Sequence, residues 1–347
     1  MVGSAGRGRS SPPPMVDALL ASSEPSIRYK TLTGVLGEEP TSTTVRAVQE
    51  QVRTSPRVQA LLAHRDARGR LACKKSIDEK WQGAHWVLAA LSDIGYPAGD
   101  QSLFPVRDQV LDEWVAPRFY EEFTAERKED AYKNEGVPVM QGRHRRCASQ
   151  QGYALHSLLK LGLEHPRLHE LAERLLHWRR PDGGWNCDKE PEAHKSSFIH
   201  TMRALHAYGM RFGDAGALAA ARQAAEIFLS RRLYKRLSNG AVVREEFTRL
   251  HYPLYWHYDI LLALKVFAEM GMLGDVRCAD ALALLASKRL PDGGFPAEHR
   301  YSKASKTVAL GNDWVDWGGT SKIRSNPWVT VDALTVLRKA CGAKSHD

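Results

Sequence analysis

The sequence predicts an all-α protein, and three observations carry that expectation. A five-residue turn occurs twice, as Pro181-Asp182-Gly183-Gly184-Trp185 and as Pro291-Asp292-Gly293-Gly294-Phe295, each copy closing a helical pattern. From Trp81 onward, strongly apolar stretches alternate with one-faced amphipathic ones. Apart from the short Ala241-Val242-Val243, no convincing run of β-branched alternation interrupts them. In the repeated turn, proline cannot continue the helix before it, the two glycines permit positive φ, and the aromatic returns the chain to an apolar surface.

Residues 1–14 are rich in Gly, Ser, Arg and Pro without an apolar h-region, so a disordered tail is expected there, with Met15 a candidate initiator. Residues 15–80 read as a helical extension. It comprises an amphipathic segment, a break at Ser26-Ile27-Arg28, and a short helix from Tyr29 to Leu36. A helix capped by Ser42 follows to Val52, another starts at Ser55-Pro56 and reaches Leu62, and Asp66 to Arg70 reads as a loop or short hairpin.

Residues 81–347 hold the repeat. Its apolar helices are expected over Trp81 to Leu91, Ser149 to Leu159, Ser197 to Leu205, Tyr255 to Leu264 and Trp328 to Leu337. The amphipathic partners are Arg167 to Trp178, Gly216 to Leu229 and Asp275 to Leu285. Apolar helices recurring in this way are buried only by stacking around a common centre. A ring of inner helices wrapped by outer ones is the simplest closed arrangement, and an open solenoid satisfies the same periodicity.

Of the 347 residues 43% are hydrophobic, enough for one large core or two ordinary ones. No run of 18 apolar residues predicts a membrane span, which leaves peripheral membrane contact open. The odd, scattered set Cys73, Cys147, Cys187, Cys278 and Cys341 points to reduced thiols and a cytoplasmic setting. The formal charge of +9 is interspersed with acidic residues and lacks the aromatic-basic interleaving of single-strand binders, so no specific nucleic acid is expected. Phosphate-loop, dinucleotide and D-D-x-x-D motifs are missing as well.

The Pro-Asp-Gly-Gly-aromatic loop leading into an apolar helix resembles the repeat of the terpenoid cyclases, squalene cyclase-like enzymes included, and of protein prenyltransferase β subunits, over Trp81 to Leu337. The resemblance implies an α/α toroid with a cavity at one end, lined by the N-terminal halves of the inner helices. It further implies an isoprenoid or other hydrophobic substrate, met by acid-initiated cyclisation or prenyl transfer. Two departures stand out. The cyclases protonate with a D-x-D-D motif, and the nearest stretch here is Asp313-Trp314-Val315-Asp316. The prenyltransferases hold zinc with an Asp-x-Cys pair and a later inner-helix His. Phe198-Ile199-His200-Thr201 is similar to the segment carrying that His, whereas Arg146-Cys147-Ala148-Ser149-Gln150 offers Cys147 without Asp-x-Cys. A non-catalytic ligand- or protein-binding toroid and a nucleic-acid-binding helical repeat are the competing readings.

Aligning the apolar helices on Leu91, Leu158, Leu205, Leu264 and Leu334 gathers an aromatic bowl at one end. Its substrate-binding candidates are Trp81, His85, Trp86, Gln150, Gln151, Tyr153, Phe198, Trp256, Tyr258 and Trp328. Asp259 is the expected catalytic acid, with His257 or His200 as partner, because burial raises a carboxyl pKa; the alternative is an Asp that caps a helix. Cys147, Cys187 and His200, completed by His257 or Asp259, are the candidate zinc ligands, with ordinary buried thiols as the alternative. His144-Arg145-Arg146 and Lys74-Lys75 are expected on the rim, where guanidinium groups and a helix N-terminus could hold a diphosphate.

Overall fold

A computed structural model describes residues 14–73, 76–193 and 199–343; the readings for the tail, Lys74-Lys75, Ser197 and Phe198 lie outside these. The chain starts with α1 (Pro14–Leu20), α2 (Pro25–Lys30) and a π-helical turn (Thr31–Leu36). The break falls before Pro25, where Glu24 caps the Ser26 N–H, so Ser26-Ile27-Arg28 is helical and not the interruption expected. Next come α3 (Thr43–Arg53) and α4 (Pro56–Leu62), capped by Ser42 and Ser55 as their sequences require. Arg65 and Leu71 bridge across the polar turn between them.

Then follow α5 (Ala84–Asp93) and α6 (Phe104–Trp114), the latter absent from the sequence reading. A largely non-helical stretch holds strands β1 (Glu122–Thr124), β2 (Val137–Met140) and β3 (Arg143–His144) in one small sheet. The helical alternation resumes with α7 (Ala148–Lys160), α8 (Arg167–His177), α9 (Ile199–Phe212) and α10 (Ala215–Leu229). It ends with α11 (Ile260–Glu269), α12 (Ala279–Ser287) and α13 (Pro327–Ala343). Val242 forms a single bridge to Lys235, and no more of a strand arises at Ala241-Val242-Val243.

The fold is all-α, an α/α toroid. Inner helices are buried on every side: Ala84 to Ser92 of α5 and Ile260 to Leu264 of α11 are uninterrupted buried runs. Outer helices bury one face, as with Leu168, Leu171, Ala172 and Leu175 of α8. Contacts run from α5 to α7, α9, α11 and α13, with α8, α10 and α12 packed outside.

The ring closes through the segment that the sequence sets apart as an extension, since α13 packs on α2 and the π-helical turn. Lys30 of α2 reaches Asp332 of α13 at 2.8 Å and Asp93 of α5 at 3.5 Å. Tyr29 lies so close to Gly95 that any side chain there would collide with it. Residues 25–36 thus occupy the place of a sixth inner helix between α13 and α5.

Candidate functional site: an aromatic cavity

At the N-terminal ends of α7, α9 and α11 a cavity of about 810 Å³ opens, within the range of small-molecule sites. Gln150 and Ser149 enter it from the first turn of α7, and Ile199 and His200 from the first turn of α9. The loop before α11 supplies Trp256, His257 and Tyr258, while Phe228 and Phe247 add apolar wall. His257 is sandwiched between Trp256 and Tyr301, with ring centroids 4.4 and 3.3 Å away.

The imidazoles are distinctive. Both ring nitrogens of buried His200, and Nδ1 of His257, have no hydrogen-bond partner among the described residues. Burial lowers the pKa of each ring to about 3, so both are neutral near pH 7. A neutral imidazole keeps one donor and one acceptor nitrogen, and leaving such groups unpaired costs about 1–3 kcal/mol each, which a ligand in the cavity can recover.

Cys147 and Cys187 also line the cavity, with their thiols in hydrogen-bond contact. Donation from Cys147 lowers the Cys187 pKa to about 7, whereas the same contact and burial raise that of Cys147. The zinc trio of Cys147, Cys187 and His200 does not converge: among the described residues the group whose donor atoms all lie within 4.8 Å of one another is Glu122, His144 and His177. These residues as arranged do not fit a zinc ion.

Asp259 is fully buried but not in the cavity wall. The expected helix from Tyr255 begins only at Ile260, because Asp259 is its N-cap and accepts the Leu262 N–H. Its partner is His251, in place of His257 or His200. Several other expected bowl residues are buried away from the cavity lining. Trp81, Trp86, Tyr153 and Tyr255 form a buried aromatic cluster, with Trp81 stacked 4.5 Å from Tyr255. His85 accepts from the Trp114 indole, Gln151 bonds the Trp114 carbonyl, and Trp328 stacks on Tyr252. An inner helix is buried all round, so its polar-aromatic positions face neighbouring helices as well as the cavity.

The basic rim differs in the same way. Arg145 is buried and donates to the carbonyls of Pro191 and Ala193, and Arg146 lies over Phe119 and bonds Gln151. Lys80, Arg231 and Arg244 line the cavity in their place, none ion-paired among the described residues. Lys80 sits 5.1 Å above the Trp256 ring. The signal for two of them was the basic stretch Arg231 to Arg249, which lacks helical period.

Two carboxyls carry raised pKa values. Asp78 is lifted to about 6 by burial; its Oδ2 accepts the Gln150 amide at 2.5 Å and its Oδ1 has no partner among the described residues. Asp313, the first residue of the stretch nearest to D-x-D-D, is also lifted to about 6 by burial, and accepts from Tyr255 and the Trp317 indole. Of the two, only Asp78 bonds a residue of the cavity wall.

No family model and no curated protein matches this chain. Solved structures similar to it include a variant of the type II terpene cyclase MstE from Scytonema with its substrate geranylgeranyl dihydroxybenzoate (15% identity, 92% of this chain and 88% of that one, TM-score 0.40). A protein from Actinoplanes is 15% identical over 94% and 98% of the two chains, with a TM-score of 0.44. The unsaturated glucuronyl hydrolase of Bacillus sp. GL1 is 13% identical over 90% and 84%, with a TM-score of 0.42. Likeness this loose leaves function to be argued from the cavity.

Proposed function

We propose that this protein takes an isoprenoid or similarly apolar chain with an acidic head into the cavity and acts on it as a cyclase- or prenyltransferase-like enzyme. One observation carries the reading: an aromatic-walled space of about 810 Å³ holds unpartnered imidazoles and is edged by Lys80, Arg231 and Arg244. The aromatic walls suit an apolar chain, and among the described residues Lys80, Arg231 and Arg244 against the single lining carboxylate of Glu246 leave a positive excess that suits its anionic head. Each exposed ring face of Trp256, Tyr258 or Tyr301 stabilises a developing cation by roughly 0.5–2 kcal/mol, which favours carbocation chemistry.

For acid-initiated chemistry the favoured proton source is Asp78, which is not itself in the cavity lining but accepts the amide of the wall residue Gln150 from behind, so that Gln150 must move for a proton to pass. With a pKa of about 6, about a tenth of it is protonated at pH 7, and its Oδ1 is uncommitted. Asp259, the acid expected from sequence, has both oxygens engaged. That engagement favours a second reading, a carrier that binds the same ligand without converting it.

Titration calorimetry with farnesyl and geranylgeranyl diphosphate, followed by mass spectrometry of the products, tests both. Trp256→Ala and Arg244→Gln should each weaken binding about tenfold, which is ~1.4 kcal/mol. Asp78→Asn should leave binding intact and stop conversion. Binding without conversion by the unaltered protein selects the carrier. Failure of both diphosphates to bind, or indifference to both cavity substitutions, sinks the proposal.

A further inference from the structure

We infer a metal site outside the cavity, formed by Glu122, His144 and His177 and suited to a divalent ion such as Zn²⁺. The Nε2 atoms of His144 and His177 lie 3.2 and 2.6 Å from the same oxygen, Oε1 of Glu122, and all three donor atoms fall within 4.8 Å of one another. Tetrahedral zinc with bonds of about 2.0–2.1 Å holds its donors about 3.3 Å apart, so an ion requires the 2.6 Å His177 contact to widen and the two imidazole nitrogens, within 4.8 Å of each other, to settle at the same spacing. His177 has that freedom, since its side chain is 60% exposed.

The scaffold explains the convergence. Glu122 pairs with Val137 and His144 with Val139, two residues apart on β2, so both side chains leave the same face of the sheet. The last turn of α8 brings His177 over that face. No Lys or Arg among the described residues pairs with Glu122, and the neighbouring Arg174 is engaged with Glu170 and the Tyr120 ring. Among the described residues the carboxylate is thus paired with imidazoles alone, and two His with one carboxylate is a donor set zinc accepts, with water completing the shell. A bound ion would tie β3, three residues before Cys147 in the cavity wall, to the outer helix α8.

The test uses the untagged full chain, treated with chelator and then titrated with Zn²⁺ by calorimetry and with Co²⁺ by absorbance. One ion per chain is expected, with a Kd of about 10 µM or tighter and visible cobalt bands that lack a thiolate charge-transfer component. His177→Ala and Glu122→Gln should each weaken binding about tenfold or more, whereas the double substitution Cys147→Ser, Cys187→Ser should change nothing. Circular dichroism confirms that the exposed His177→Ala variant is folded. The inference is overturned by no saturation below about 100 µM Zn²⁺, by stoichiometric binding that survives both substitutions, or by a thiolate band that vanishes with the cysteines.

Discussion

Asp259 closes on His251: its Oδ2 lies 2.7 Å from the imidazole Nδ1 and 3.1 Å from the His251 amide, while Oδ1 accepts the Leu262 N–H at 2.7 Å. One carboxylate therefore starts α11 and pins the loop that carries Trp256 and His257. Asp259→Ala should cost about 1–2 kcal/mol for the cap and a further ~1–3 kcal/mol for the buried His251 amide left without its acceptor. Urea unfolding reads that loss. Ligand affinity of the folded variant should stay within about twofold, below ~0.5 kcal/mol. Loss of conversion by Asp259→Asn at unchanged stability would return this residue to the chemistry.

His200 supports the opposite expectation. It stacks on Tyr153 at 4.4 Å with neither nitrogen bonded among the described residues, so the ring shape is useful to the core and the nitrogens are not. His200→Phe should raise the stability of the ligand-free protein by about 1 kcal/mol and weaken ligand binding about fivefold or more. Melting temperature and calorimetry on the same preparation decide it. A drop in both would make His200 a structural residue.

How much of this was legible in the sequence depends on how local the physics is. The repeated turn is local, and both copies are built alike: Arg180 bonds the Gly184 carbonyl at 2.8 Å and Leu290 the Gly294 carbonyl at 2.9 Å. Gly183 and Gly293 have φ of 93° and 84°, and Trp185 and Phe295 are buried. The choice of cavity side chains is not local. Leucine alignment carried Tyr255 to Asp259 into a helix, although an Asp before Ile260-Leu261-Leu262 is itself an N-cap signal. It also could not separate Gln150, which faces the cavity, from Gln151, which faces Trp114. Lys80, Arg231 and Arg244 arrive on loops whose path no periodicity describes.

The ring closure predicts a strong ion-network effect. Lys265 bonds Asp93 at 3.0 Å and Asp332 at 2.5 Å, and Lys30 contacts the same two carboxylates. Against the opposing effect of burial, Lys265 and then Lys30 hold the Asp93 carboxyl well below its usual range. Lys265→Met should destabilise by about 3–5 kcal/mol, because two buried carboxylates are left with one cation. Adding Asp93→Asn should recover part of that loss in a double-mutant cycle of denaturant midpoints, and strict additivity would show the pairs to be uncoupled.

Asp313 gives a pH signature of defined sign. Its carboxyl is lifted to about 6 by burial, although Tyr255, the Trp317 indole and the Val315 N–H all donate to it. An unfolded Asp titrates near 3.9, so between about pH 4 and 6 the folded protein binds more protons than the unfolded chain. Stability from this group therefore falls as pH rises through that window, by about 3 kcal/mol in total. Asp93 and Glu269, with depressed folded values, act oppositely, their contribution being lost as pH falls; both remain in the variant and cancel in a comparison. Asp313→Asn cannot ionise and still accepts one of the donors. Its stability relative to the unaltered protein should thus rise by about 2–3 kcal/mol between pH 4 and pH 7, measured by urea unfolding at each pH. A difference that stays flat across that range would mean that Asp313 ionises inside the fold as readily as in water.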